Sequence, residues 1–213
     1  EDEVGLSAMD RGNIFHTVLY KFYTELSKEQ AKPGEALTLV KINKDERARY
    51  LELLIKLAKE TLDDYAFDHP LFEIERKAIL GSLAYTEPAL NHKKGTLETW
   101  LDNELEMQEA YNWCYYPVLF EYSFGMKSFD SKHTEKPIEF PNKLKIKGKI
   151  DRIELSENMG EFVIADYKSK LKKSFDQANI VKGNSFQMPI YMLAARQVLA
   201  NILKENISPA GAV

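Results

Sequence analysis

The stretch KLKIKGKIDRIELSENMGEFVIADYK, residues 143–168, decides the fold of this chain. Its first half alternates. Leu144, Ile146, Gly148 and Ile150 fall on one face and Lys145, Lys147, Lys149 and Asp151 on the other, which is the period of a strand. Ser156 to Gly160 is a polar turn, and Glu161 to Lys168 follows as a second strand with the apolar run Phe162-Val163-Ile164-Ala165. So short a connection predicts a hairpin. In it, Asp151 and Asp166 occupy adjacent strands, while Asp166 and Lys168, two positions apart, share a face. A carboxylate and an ammonium closing an apolar strand carry a desolvation cost. On its own Asp166-x-Lys168 reads as a salt bridge at a strand end. With Asp151 beside it, two carboxylates crowd one place, and a divalent cation removes their repulsion. Oxygen donors without cysteine favour Mg²⁺ or Mn²⁺ over zinc.

Working outward, the chain before this hairpin is mostly helical. Ser7-Ala8-Met9-Asp10 has capping-box spacing, and Ile14, Phe15, Val18, Leu19, Phe22, Tyr23 and Leu26 recur at helical intervals after it. Lys32-Pro33-Gly34 stops that helix. A second helix is expected from Asp45 with Tyr50, Leu51, Leu53, Leu54, Leu57 and Leu62 as its stripe, a third over 71–85, and a fourth from Thr96 toward Asn112. The pattern changes at Pro117, where Val118 to Phe124 reads as an aromatic strand. Beyond the hairpin come a basic loop, 169–183, and a last helix from about Ser185 to Lys204. There is no internal repeat and no low-complexity tract.

The 213 residues suffice for one sizeable core or two small ones. No apolar run approaches the roughly 20 residues that span a bilayer. The acidic start, Glu1-Asp2-Glu3-Val4, lacks the pattern of a secretory signal. The missing initial Met and the small-residue tail Ser208 to Val213 lead us to expect a fragment of a longer protein. One cysteine, Cys114, forms no internal disulfide and cannot alone hold zinc or a cluster. It fits a reducing compartment, here read as the cytoplasm. The net charge of −4 argues against a uniformly basic nucleic-acid binder. Residues 141–173, however, hold nine Lys or Arg against five acids, a local excess of four, so the rest carries eight net negative charges. On charge alone that stretch reads as a pair of solvated strands, and it can also serve as a phosphate footprint.

Two further motifs bear on chemistry. Gly12-Asn13-Ile14-Phe15-His16 places a histidine on an apolar helix, which taken alone is a satisfied core residue and beside two acids a metal ligand. Gln187-Met188-Pro189-Ile190-Tyr191 places two hydrogen-bonding groups at i and i+4, on one helical face. Pro189 suits a first-turn position.

Taken together, the four elements resemble the RecB-like nuclease domain of the PD-(D/E)XK superfamily. They stand in order as Gly12/His16, Gly148/Asp151/Arg152/Ile153, Asp166/Tyr167/Lys168 and Gln187/Tyr191, and cover the chain from position 12 to about 200. The resemblance implies an α/β fold of restriction-endonuclease type: a mixed central sheet flanked by helices, with a helical insertion. Residues 1–213 would form one domain, with 30–115 as the insertion and 116–205 as the catalytic core. His16, Asp151 and Asp166 would ligate Mg²⁺ or Mn²⁺ with the main-chain carbonyl of Tyr167. Lys168 would be the catalytic lysine, and Gln187 and Tyr191 would support the site and contact DNA. Glu121 is similar to a glutamate preceding the G-x-x-D-R motif; it reads equally as an exposed strand acid. The implied activity is phosphodiester hydrolysis, that of a DNA exonuclease or endonuclease in repair or recombination linked to a helicase. Helicase-linked members also carry an iron–sulfur cluster, but Cys114 is misplaced for it and the cluster is unsupported in this chain. Two other readings stay open: a catalytically silent nuclease fold used for DNA binding or subunit assembly, and a metal phosphohydrolase acting on nucleotides or RNA.

Overall fold

A computed structural model describes residues 6–65, 70–82, 93–110, 114–126, 136–140, 143–167 and 186–212. The chain divides into two compact units. One contains residues 1–25 and 41–114, the other 26–40 and 115–213. Among the described residues no helix is long and apolar enough to cross a membrane.

The first unit is helical. Helix α1 (Ala8–Gln30) opens on a reciprocal box. The Asp10 N–H donates to Ser7 Oγ at 3.0 Å and the Ser7 N–H to Asp10 Oδ2 at 3.3 Å, so two end donors find acceptors. Of the apolar positions expected to recur on α1, Ile14, Val18, Leu19, Phe22, Tyr23 and Leu26 are buried. Helix α2 (Arg47–Asp63) begins after a single 3₁₀ turn, Lys44–Glu46, rather than at Asp45. The cap is Asn43, whose side chain accepts from the Glu46 N–H. Helix α3 (Pro70–Leu80) stops five residues earlier than expected, because Gly81 turns into the left-handed region at φ +74°. Helix α4 (Thr96–Ala110) starts where expected; residues 111–113 lie outside the described set. The core is aromatic. Phe22 meets Tyr50 and Trp100 edge-on at 6.1 and 5.9 Å, and Tyr23 meets Trp100 at 5.9 Å. Across the helices, Arg47 reaches Glu98 and Asp102, and Lys94 also reaches Asp102.

The second unit is built on a four-stranded mixed sheet ordered β1-β4-β5-β6. Strand β1 (Tyr115–Phe124) runs antiparallel to β4 (Gly148–Ser156), which runs antiparallel to β5 (Glu161–Ala165). The expected hairpin is therefore present. Strand β6 (Ser208–Ala212) lies parallel to β5, and helix α5 (Gln187–Leu203) precedes it in the chain and packs against β4, β5 and β6. A parallel pair needs such a crossover. Strands β2 (Ile138–Glu139) and β3 (Lys145–Ile146) form a separate short ladder.

Several boundaries differ from expectation for physical reasons. Strand β1 begins at Tyr115 and contains Pro117, which is tolerated on an edge strand next to a register shift between Pro117 and Leu119. The strand expected over 143–155 is split at Lys147, because β3 pairs with β2 while β4 pairs with β1. Leu144 consequently stays exposed. Strand β5 ends at Ala165, not at Lys168. The tail from Ser208 is a strand. The basic loop 169–183 lies outside the described residues. Phe124, Ile150, Ile153, Leu155, Phe162, Ile164, Ala195 and Leu199 form the centre of this unit's core.

Candidate active site

The site begins on β1 and β4. Phe120 pairs with Arg152 and Tyr122 with Ile150, so the register sets Glu121 opposite Asp151. Both carboxylates are buried, and an oxygen of each lies within 4.8 Å of the other. Glu121 holds φ +47°, a left-handed value costly for a residue with a Cβ and unusual inside a strand. The Lys149 ammonium pairs with the Glu121 carboxylate. Two buried acids at this separation repel, and the partly exposed Lys149 offsets some of that. A hard divalent cation fits such an oxygen pair, so the residues suit the metal that the sequence implies.

The end of β5 meets Asp151. Asp151 Oδ2 accepts the main-chain N–H of Tyr167 at 2.8 Å. This contact brings Asp151 to the peptide joining Asp166 and Tyr167, and it explains why the strand stops at Ala165. The Tyr167 N–H goes to a side chain and not to the ladder. Asp166 is half-buried, with its Oδ2 enclosed. It lies just past the strand instead of on it. Lys168 itself lies outside the described residues.

Sequence reasoning overlooked the chemistry on the other face of β4. Arg152 and Glu154 are both buried and in contact, Arg152 Nη2 standing 2.6 Å from Glu154 Oε1. The guanidinium carbon lies 5.4 Å from the centre of the Tyr167 ring, and Nη1 donates to the Tyr167 hydroxyl at 3.4 Å. Charged residues on a strand read as a solvent face, and the only available signal was that Arg152 belongs to the G-x-x-D-R-I motif.

Gly148 of that motif has a packing role. A Cβ on it would lie 2.9 Å from Phe124 Cζ and 3.2 Å from Tyr191 Cε1. The Phe124 and Tyr191 rings meet edge-on at 6.3 Å. Tyr191 of α5 is thus set against the start of β4, four residues beyond Gln187, which is exposed at the helix's first position. Pro189 falls in the first turn, as expected. His16 lies on α1 in the helical unit and is half-buried.

The whole chain, residues 1–213, matches the family model of the PD-(D/E)XK nuclease superfamily. The chain belongs to this superfamily. It is similar to a subunit of the ATP-dependent helicase/deoxyribonuclease of Clostridium tetani, at 28% identity over 139 residues, which cover 63% of this chain and 12% of that protein. It is also similar to the protein of the same name in Natranaerobius thermophilus, at 25% identity over 206 residues, 94% of this chain and 15% of that protein. The chain therefore spans a small part of the length of these relatives. PD-(D/E)XK nucleases generally use divalent metals, and the Glu121–Asp151 pair is an acidic site suited to one.

Proposed function

We propose that this chain is a Mg²⁺- or Mn²⁺-dependent deoxyribonuclease module of the RecB type, an exonuclease of DNA repair or recombination. Its partners are DNA and a helicase domain or subunit, and it works in the cytoplasm. The observation that carries this reading is Asp151. One carboxylate faces Glu121 across the β1–β4 pair and fixes the chain at Asp166-Tyr167, within a chain matched over its length by a nuclease family. The relatives' names supply the deoxyribonuclease and helicase terms. The domain is read as single over 1–213, with 30–115 as a helical insertion and 116–205 as the catalytic core. Residues 41–114 of that insertion fall together in the helical unit, along with 1–25, while 30–40 fall in the other unit.

In this reading Asp151, Asp166 and the Tyr167 carbonyl would hold the cation with Glu121 opposite Asp151, and His16 would join them through its place in the G-x-x-x-H motif. The cation supplies Lewis acidity at the phosphoryl oxygen and acidifies water. Lys168 orients the attacking water and steadies charge developing on the phosphate. Tyr191, held against Gly148 and Phe124, and Gln187, one turn before it, contact the DNA backbone near the scissile bond.

End-labelled single- and double-stranded DNA, incubated with Mg²⁺, Mn²⁺ or EDTA, tests the proposal. Cleavage in either metal, none in EDTA, and none with Lys168→Ala are the expected results. Cleavage in EDTA, or by Lys168→Ala at the wild-type rate, would overturn the mechanism. Activity on mononucleotides with none on DNA would overturn the substrate.

A further inference from the structure

Arg152 and Glu154 form an ion pair whose side chains are 4% and 1% exposed, on the strand between β1 and β5. Taking two charges out of water costs several kcal/mol per ion in roughly this setting, and apolar residues of equal volume commonly serve as well or better. Stability therefore does not explain the pair. Its geometry toward Tyr167 does. Asp151 and Arg152 are consecutive on a strand and so point to opposite faces. Asp151 takes the Tyr167 N–H at 2.8 Å, while Arg152 meets the Tyr167 ring at 5.4 Å and its hydroxyl at 3.4 Å. Tyr167 is gripped by its backbone from one side and by its ring from the other. Glu154, with Oε1 2.6 Å from Nη2, attracts the guanidinium and so opposes its leaving the ring.

We propose that Arg152 and Glu154 are positioning residues that clamp Tyr167, fixing the Asp166 carboxylate and the Tyr167 carbonyl toward the cation. This inference rests on the nuclease reading of the site. Neither residue touches the cation or the DNA; both act through Tyr167.

The test uses the full chain and the double variant Arg152→Met/Glu154→Leu, which removes the charges and keeps the volume. Thermal melting, calorimetric titration with Mn²⁺, and kcat and KM on single-stranded DNA are measured together. The double variant should melt within a few degrees of wild type. Its Mn²⁺ affinity should fall about 10–100-fold, as for lost partners of metal ligands. Its kcat should fall by at least about tenfold, with KM for DNA within roughly twofold, because what is lost is alignment and not substrate contact. A double variant that melts, binds Mn²⁺ and cleaves like wild type would overturn the proposal. If it does not fold, Tyr167→Leu keeps the pair and removes what it grips. Unchanged Mn²⁺ affinity in that variant overturns the proposal equally. Wild-type chain that binds Mn²⁺ yet cuts no DNA refutes the nuclease reading alone, and the Mn²⁺ comparison still decides the clamp.

Discussion

Replacing Asp151 by Asn and by Ala separates its two jobs. The side chain accepts a main-chain N–H from Tyr167 and contributes a charge facing Glu121. Asn keeps an oxygen for that N–H and loses the charge; Ala loses both. A buried donor left without its acceptor costs about 1–3 kcal/mol. For a chain of this length each kcal/mol moves Tm by roughly 2–4 °C, so Ala should melt about 2–12 °C below Asn. The charge is absent from both variants and cancels in that comparison. Against wild type in EDTA, Asn should melt at the same temperature or above it. Two charges within 4.8 Å of each other repel by about 3 kcal/mol or more at an effective dielectric near 20, of which Lys149 already relieves a part. With Mn²⁺ the order reverses. At a hundred times its Kd, a ligand stabilises the folded state by about 2.7 kcal/mol, and wild type should gain that while Asn gains little. Circular-dichroism melts of the three proteins, with EDTA and with Mn²⁺, provide the assay. Asn and Ala melting together would show that the Tyr167 bond carries no weight. A Mn²⁺ shift in Asn equal to that of wild type would show that the carboxylate is not a ligand.

Gly148→Ala should cost about 1–3 kcal/mol by overpacking, since the new Cβ meets Phe124 at 2.9 Å and Tyr191 at 3.2 Å; chemical denaturation checks this, and an unchanged midpoint would contradict it. Lys149→Ala removes one ammonium that competes for the Glu121 carboxylate, so Mn²⁺ affinity should tighten about two- to fivefold, the scale of a partly exposed pair, and calorimetry showing weaker binding would reverse the assignment. In the helical unit, the Arg47 guanidinium, and then Lys94, hold the Asp102 carboxyl below its usual range. A lowered folded value contributes stability above the unfolded pKa of about 3.9 and loses it as pH falls through the folded value. Asp102→Asn should therefore cost up to about 1 kcal/mol at pH 7 and progressively less below pH 4; a difference from wild type that does not change between pH 7 and pH 3 would refute this.

The hairpin was legible because Lys145 to Asp151 alternate and Ser156 to Gly160 can only turn. That sufficed to place Asp151 beside the chain carrying Asp166. The end of β5 was not legible, because it depends on the Asp151 side chain taking the Tyr167 N–H, a contact that no local pattern encodes. Glu121 was visible as an acid in an aromatic strand, but its positive φ, a property of the folded backbone, was not. Strand β6 escaped notice because Ser208, Pro209 and Gly211 are poor strand formers. It forms at the described sheet's edge by pairing with β5 through the main chain, where side chains matter least. Arg152 and Glu154 defeated the assumption that charges on a strand mark its wet face.

These failures and successes have a common cause. The letters of the G-x-x-D-R-I motif are set by letters of other motifs. Gly148 is bare because Tyr191 of the Q-x-x-x-Y helix and Phe124 stand over it. Asp151 and Arg152 hold the backbone and ring of Tyr167, the middle residue of Asp-Tyr-Lys. Ile153 alone serves the common core. Each motif is weak as a string because its chemistry needs only one or two residues. The remaining positions are fixed by contacts to residues 15 to 43 positions away, which a scan of any one string cannot register. Three short motifs in the right order are therefore far more specific than their separate odds suggest: the order is what the β4–β5 hairpin and the return of α5 require if these contacts are to form.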